Sequence, residues 1–429
     1  MGLPRVVILG GGFGGLKAAR ELRHAKVKLT LVDRTNHHLF QPLLYQVAAS
    51  ALAPRDIAYP IREILKRQKN ATVIMDEAEE INADENAVLL ASGNRLEYDI
   101  LIVAVGSHHS YFGHPEWEQF APGLKSLEDA VKIRSELLAT YEQAEAADSR
   151  AESDQLLTFV VVGGGPTGVE LAGAIAEIAQ KTMVRNFRRI DPTQTRVYLV
   201  EATDRVLPAY PESLSKQAEE DLRKLGVNVV KNSPVTDIDE TGITVGERKI
   251  LSSHVIWAAG NEAPSLLKTL NVPMDRQSRI LVEPDLTIPG HPNVFVIGDA
   301  ACLNDESGNP LPGIAPVAIQ QGEYVGRLIQ KHIKPGKRPP FKYHDRGMMA
   351  TIGKAKAVAV IGGRQYSGWL AWILWSLVHI AFLIGFRNRF IVMFEWIIWY
   401  MTETRGSRLI YEGIHLEEKK KPHDKSSGS

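Results

Sequence analysis

Two short loops carry the residue types needed to hold a dinucleotide. Gly10, Gly12 and Gly15 form a GxGxxG pattern between "RVVILG" and "GLKAARELRHA", and Gly163, Gly165 and Gly168 repeat it between "LLTFVVV" and "VELAGAIAEIAQ". The spacing supplies a tight turn, a backbone bare enough for a pyrophosphate to approach, and close helix–strand packing. The helix that follows meets the phosphates with free N–H groups and the positive end of its dipole. One such loop is weak evidence; two, each with a strand before and a helix after, are much stronger. Phe13, Gly14 and Thr167 lie inside the loops. Each loop should be answered by an acid at the end of the next strand, where a ribose hydroxyl binds. Asp33 closes "VKLTLVD" at the expected spacing, with Arg34 beside it. Glu201 closes "TRVYLVE" later than that spacing, after the extension "KTMVRNFRRIDPTQ". A carboxylate there repels a 2′-phosphate and favours NADH over NADPH; Arg205 argues the other way but reads as a solvated loop arginine.

Other chemistries are poorly supplied. The chain has 1 Cys, Cys302, so no intrachain disulfide, CxxC or thiolate cluster is available, and a reducing compartment fits. His37 and His38 are adjacent and tend to point to opposite faces, so no metal site is expected. Lys+Arg and Asp+Glu balance at 50 each, which gives no bulk field for nucleic acid. A strand pattern begins almost at once, so no targeting peptide is expected, and the tail "KKKPHDKSSGS" reads as disordered.

The loops sit in βαβ rhythm: β-branched runs, glycine turns, then amphipathic stretches. "TVIMDEAEEINADENAVLLASGNRLEYDILIVAVG" reads as a β-meander ending in an apolar strand, and "HPNVFVIGDAACL" as a buried strand that breaks at Gly298-Asp299. The fold expected is α/β, with two Rossmann-like dinucleotide-binding domains and a C-terminal membrane-anchoring helical segment. The boundaries are 1–115 for the first part of one dinucleotide-binding domain, 116–278 for the other, 279–340 for the second part of the first, and 341–429 for membrane association. Linkers are placed near 112–125, 270–285 and 335–345.

Two dinucleotide sites in one chain suggest a flavin and a nicotinamide nucleotide exchanging a hydride. At this point the chain resembles the two-dinucleotide-binding-domain flavoproteins, the pyridine nucleotide–disulfide reductases and their relatives. "EYDILIVAVG" resembles their strand ending in an ATG-type turn, at Gly106, with Val105 where threonine is usual. "NVFVIGDAA" resembles the second FAD motif, whose aspartate, here Asp299 after Gly298, holds the ribityl chain. "HVIWAAG", ending at Gly260, resembles the equivalent turn of the NAD domain. The resemblance covers roughly residues 5–330. It implies FAD bound non-covalently at the first loop, with Ala78 on the same cofactor surface, and NADH as substrate at the second.

The acceptor is narrowed by the missing thiols. Disulfide, persulfide and peroxide reductases and sulfide:quinone oxidoreductases need cysteines at the flavin, whereas "NHHLFQPLLYQVAAS" has none and Cys302 reads as a small buried residue. "HHLFQPLLYQVA" and "APVAIQQG" resemble type II NADH:quinone oxidoreductases, single-subunit enzymes that do not pump protons. The resemblance puts Ala315, Val317 and Ala318 under the flavin ring and lets the Gln320 amide reach a quinone carbonyl. Pro316 stands where the group more often has glutamine. It also puts Glu170 near nicotinamide and quinone as a proton relay; a first-turn glutamate favoured by the helix dipole is the rival. The activity implied is NADH oxidation through FAD with reduction of a membrane quinone, ubiquinone or menaquinone. Reduction of a ferredoxin- or rubredoxin-type carrier and a non-catalytic flavin-bound role are the alternatives, and a homodimer is left open.

A quinone is a lipid, and the chain ends in "YSGWLAWILWSLVHIAFLIGF". Trp369 to Phe386 as one helix would be about 27 Å long, barely enough to span a bilayer. On a helical wheel Trp372, Trp375, His379 and Phe386 share one face, with Leu370, Ile373, Leu377 and Ile384 opposite. Spanning would put Arg387, Arg389 and Lys419–Lys421 on the side away from NADH, against the positive-inside tendency. The expectation is therefore a monotopic anchor on the cytoplasmic face of the bacterial inner membrane, aliphatic face in the acyl region. His379 reads as a packing histidine, with a place at the quinone entrance as its alternative.

Overall fold

The computed structural model describes residues 2–402 and 405–410, and at Phe386 the backbone alone. Two sheets organise it. In the first, Arg5–Leu9 lies between Lys28–Asp33 and Ile100–Val103, all parallel, and His291–Val296 adds parallel to Ile100–Val103. Ala71–Met75 and the antiparallel Thr287–Ile288 form its edges. In the second, Thr158–Val162 lies between Arg196–Val200 and His254–Trp257, with Val227–Val230 outside. The central strands Arg5–Leu9 and Thr158–Val162 are almost wholly apolar and buried because a parallel sheet is covered on both faces.

The duplication goes deeper than the glycine loops. Each sheet carries a three-stranded antiparallel meander before its return strand: Ala78–Asn82, Ala87–Leu90 and Arg95–Glu97 in one, Val235–Asp239, Gly242–Val245 and Arg248–Leu251 in the other. Each return strand then ends on a left-handed glycine, Gly106 at φ 70° and Gly260 at φ 66°. His108–His109 pairs antiparallel with Asn261–Glu262 just beyond those glycines, tying the two halves together.

Two glycines on one helix set the first half's geometry. Helix Ala315–Gln330 crosses helix Phe13–Glu21 so closely that a Cβ at Gly322 would sit 2.2 Å from the Gly14 carbonyl oxygen. A Cβ at Gly326 would meet the Glu21 Cβ at 2.5 Å. That contact carries the start of the Ala315 helix to the first glycine loop.

Beyond residue 345 the chain forms an antiparallel sheet, Met348–Thr351, Ala357–Ile361 and Arg364–Ser367, packed on helix Pro166–Glu177 where Gly173 faces Ile352. The apolar run that follows is not one helix. Gly368–Phe382 ends at a turn with Gly385 at φ 90° against the Tyr59 ring, and Phe386–Thr402 begins a second helix. No helix among the described residues is long and apolar enough to cross a membrane. The two inner faces bury Ala371, Trp375 and His379 in the first helix and Val392 and Trp396 in the second. Trp369, Leu370, Ile373, Leu377 and Phe382, then Phe390, Phe394, Ile397, Ile398 and Met401, are exposed. Within Gly368–Phe382 the expected division into an inward aromatic and an outward aliphatic face is present. Two aromatics outside that expected inner set, Trp369 and Phe382, face outward. The Phe386 side chain and Lys419–Lys421 lie outside the described residues.

Candidate active site

The two glycine loops are built alike. Gly10 and Gly163 have φ of 98° and 109°, and a Cβ would meet the Ala104 carbonyl oxygen at 2.3 Å or the Ala258 carbonyl carbon at 2.8 Å. A Cβ at Gly15 or Gly168 would lie 1.9 Å from the carbonyl oxygen of Gly10 or Gly163. Gly12 and Gly165, by contrast, have nothing within 4 Å. The outer glycines are therefore required by the protein's own packing, and the middle ones leave room for a ligand. Phe13 packs edge-on to His38 and Phe40, at 5.1 and 5.9 Å, and Thr167 is exposed at the second helix start.

The acids match as well. Asp33 accepts hydrogen bonds from Gly11 N at 2.6 Å and from Thr35 N and Oγ1 at 2.7 and 2.8 Å. Glu201 accepts from Gly164 N at 2.6 Å and from Thr203 N and Oγ1 at 2.7 and 2.8 Å. The longer sequence interval at Glu201 is absorbed by a π-turn at Ile178–Thr182 and the loop after it. Arg205 gives its guanidinium to the Pro208 carbonyl at 3.1 Å, and Arg34 is exposed beside Asp33. Ala78 opens the first meander just past Met75, the residue paired with Asp33.

At the second flavin motif, Gly298 has φ 71° and donates its N–H to Gln321 Oε1 at 2.6 Å. Asp299 Oδ2 accepts from Ser107 Oγ at 2.8 Å, and Lys125 Nζ donates to that Ser107 Oγ at 2.8 Å. Ala315 begins the helix here, with Val317 and Ala318 buried in its first turn. The Gln320 amide is held at both ends: Nε2 donates to His344 O at 2.9 Å, and Oε1 accepts from His344 N at 3.0 Å. Both ends of the amide clamp the helix to the following loop, because an extended backbone presents an N–H and C=O pair that fits a primary amide. A reach of Gln320 to a quinone carbonyl would use the second Nε2 hydrogen; its neighbour Gln321 contacts the Gly298 turn.

Between the sheets lies a cleft of about 1010 Å³ that reaches from Gly163–Thr167 and Glu201, past Gly260, to Asp299. Glu170 and Tyr45 line its inner end. Both also line a second cavity of about 30 Å³, walled by Trp372, Trp375, Trp396 and Trp399 of the two terminal helices. Glu170 is 9% exposed and accepts one hydrogen bond, from Thr351 N at 3.3 Å. Burial raises its carboxyl to about 8, the Thr351 N–H opposing. The carboxyl lies where the nucleotide cleft meets the cavity walled by the apolar helices.

His379 takes the packing role. Its Nδ1 lies 2.7 Å from the Trp375 carbonyl, its ring stacks on Trp375 at 4.2 Å, and burial lowers it to about 4. It does not border the Trp-walled cavity. Among the described residues no cluster could hold a metal ion. Sequence reasoning missed Lys125, Tyr45, Gln46 and Arg405. The polar pair Tyr45-Gln46 inside an apolar segment was the available signal for two of them.

Comparison with known proteins agrees with this geometry. Residues 4–322 match the family described as pyridine nucleotide-disulphide oxidoreductase, and residues 345–403 match the NDH2 C-terminal domain. The type II NADH:quinone oxidoreductase Ndh of Mycobacterium tuberculosis is 43% identical over 95% of this chain and 90% of its own length. The type II NADH:quinone oxidoreductase of Staphylococcus haemolyticus is 30% identical over 85% of this chain and 91% of its own. The structure of NDH2 from Plasmodium falciparum in complex with NADH superposes with a TM-score of 0.86, covering 95% of this chain and 100% of that one at 21% identity.

Proposed function

This chain belongs to the pyridine nucleotide-disulphide oxidoreductase family and, within it, to the type II NADH:quinone oxidoreductases, and on that premise we propose how its residues divide the work. The enzyme oxidises NADH and reduces a quinone through FAD. The first loop suits that cofactor, since Gly12 is open where Gly10 and Gly15 are closed and Asp33 stands ready for a ribose. FAD, when bound, supplies two-electron redox chemistry between a hydride donor and a quinone.

The chain's own part is binding, orientation and proton supply. Gly12 and the Phe13 helix start take the FAD pyrophosphate, Asp33 the adenosine ribose, and Asp299, oriented by Ser107 and Lys125, the ribityl hydroxyls. Gly165, Thr167 and Glu201 hold NADH, and the Glu201 carboxylate disfavours a 2′-phosphate. Ala315, Val317 and Ala318 bring small side chains and the helix start toward the flavin ring. The overall reaction takes up one proton beyond the hydride, and Glu170 holds it at the inner end of the cleft. The single observation that carries this reading is Glu170 itself, buried, its carboxyl raised by that burial, and shared by the cleft and the Trp-walled cavity.

The outward apolar face of the two terminal helices rests in one leaflet of the membrane on the cytoplasmic side, with the chain lying on the bilayer. Arg387 and Arg389 are exposed at the start of the second helix, where anionic headgroups would meet them. Both nucleotide loops and the acid between them come from one chain, so the reading requires no second copy. The test is acceptor choice. NADH oxidation should proceed with a short-chain quinone and fail with a ferredoxin or rubredoxin; the reverse preference overturns the assignment.

A further inference from the structure

The small cavity behind Glu170 is lined by buried donors that lack acceptors. Trp396 Nε1 donates to Gln46 Oε1 at 2.8 Å, and Gln46 Nε2 donates to the Tyr45 hydroxyl at 2.9 Å. An indole can only donate, so this chain has one polarity. The Gln46 carbonyl must face Trp396, its amide hydrogens must face Tyr45, and the Tyr45 hydroxyl hydrogen is left to point elsewhere. Trp375 Nε1 and Arg405 Nε are also buried and have no partner among the described residues. All three residues line the same cavity, and so does Glu170.

The volume decides what can accept from them. About 30 Å³ exceeds the roughly 10–15 Å³ that one water needs and is far too small for a quinone ring. The walls are neutral in sum, because the Arg405 guanidinium is paired with Glu177 at 3.3 Å and also donates to the Ala49 carbonyl. We propose that this cavity holds a structural water that accepts from the Tyr45 hydroxyl and from one of the Trp375 and Arg405 N–H groups, and donates to the Glu170 carboxyl. The inference rests on Glu170 being the acid of the reaction and says what sets its behaviour there.

The consequence is directional. When Glu170 releases its proton, the carboxylate left behind needs a donor on the side away from the cleft, and Thr351 N at 3.3 Å is a weak one. The water supplies it, oriented by the Tyr45 hydroxyl, while Gln46 and Trp396 act as positioning residues. The other titratable or charged groups that face Glu170 or this cavity are Tyr45, Tyr210, Glu177 and Arg405. The two tyrosines stay protonated because burial raises each of them.

Tyr45→Phe removes a donor to the water at little cost in shape. Measured on the full-length, flavin-loaded enzyme, the pH inflection of quinone reduction should then move upward by roughly 0.5 to 1, the size of one lost hydrogen bond. Trp396→Phe, which lets the Gln46 amide turn, should move it the same way by less, and should add nothing in the Tyr45→Phe background. A crystal structure at a resolution that shows waters should place one within hydrogen-bond distance of Glu170 and Tyr45 in the wild type and lose or displace it in Tyr45→Phe. An inflection unmoved in both variants, with Glu170→Gln still abolishing it, would sink the water while leaving Glu170 as the acid. An inflection that survives Glu170→Gln overturns the underlying reading instead. A dependence of the wild-type inflection on halide concentration would give the cavity to an anion and refute the water.

Discussion

Replacing Glu170 by glutamine keeps the shape of the side chain and removes its titrating proton. In the wild type, burial lifts this carboxyl from 4.5 to about 8, so about nine molecules in ten carry the proton at pH 7. The rate of quinone reduction by pre-reduced enzyme should be flat below pH 8 and fall roughly tenfold for each further pH unit. Glu170→Gln should be about 100-fold slower at pH 7, the low end for a lost general acid, and should show no inflection near 8. The same shift has a stability signature. A carboxyl whose folded value is raised contributes fully below its unfolded value of 4.5, and that contribution is lost as pH rises to about 8. The loss amounts to roughly 5 kcal/mol at most above that range, since each pKa unit is about 1.4 kcal/mol. The wild type should therefore lose melting temperature between pH 5 and 8 relative to Glu170→Gln. Anaerobic rapid mixing with a short-chain quinone, over pH 6 to 10, measures the first effect and thermal melts measure the second. A wild-type profile that stays flat past pH 9, or a variant with the same inflection, would refute the role given to Glu170.

Gly12→Val should fold with a melting temperature near that of flavin-stripped wild type and lack the flavin absorption near 450 nm, because its Cβ meets no protein atom within 4 Å. Gly15→Ala, whose Cβ would lie 1.9 Å from the Gly10 carbonyl oxygen, should lose stability by about 2 kcal/mol or more in denaturant titration. Gln320→Ala breaks two hydrogen bonds to His344 and should cost about 1 to 2 kcal/mol of stability, with quinone reduction within threefold of wild type; a much larger kinetic loss would return Gln320 to the quinone. Leu377→Asp combined with Phe394→Asp charges the exposed helix face, at positions 61% and 57% exposed, and should abolish co-sedimentation with phospholipid vesicles while the soluble fraction still oxidises NADH with a water-soluble quinone. Undiminished sedimentation would remove that face from the membrane.

The residues most legible in the sequence were those whose role is set by local backbone geometry. The glycine loops, Asp33, Gly106, Gly260 and the Gly298-Asp299 break lie where a strand must turn, and the strand–turn–helix pattern announces each. Glu201 was legible despite its distance because the strand it closes is unmistakable, although the π-turn that delays it was not. Contacts across long separations were the ones missed. Nothing near Gln320 announces that His344 will take its amide, and nothing near Gln46 announces an indole 350 residues away. The apolar run was read as one helix since its hydropathy is unbroken; Gly385 ends it because Tyr59, from a distant part of the chain, sits against a glycine in the left-handed region.

The measurement closest to the central claim is a pair of anaerobic half-reactions on the flavin-loaded enzyme. Stoichiometric NADH should bleach the flavin absorbance, and a subsequent short-chain quinone should restore it, with one proton taken up per NADH consumed over the cycle. NADPH should bleach it far more slowly. An enzyme that NADH reduces but quinone leaves reduced, or one that takes up no proton, contradicts the account.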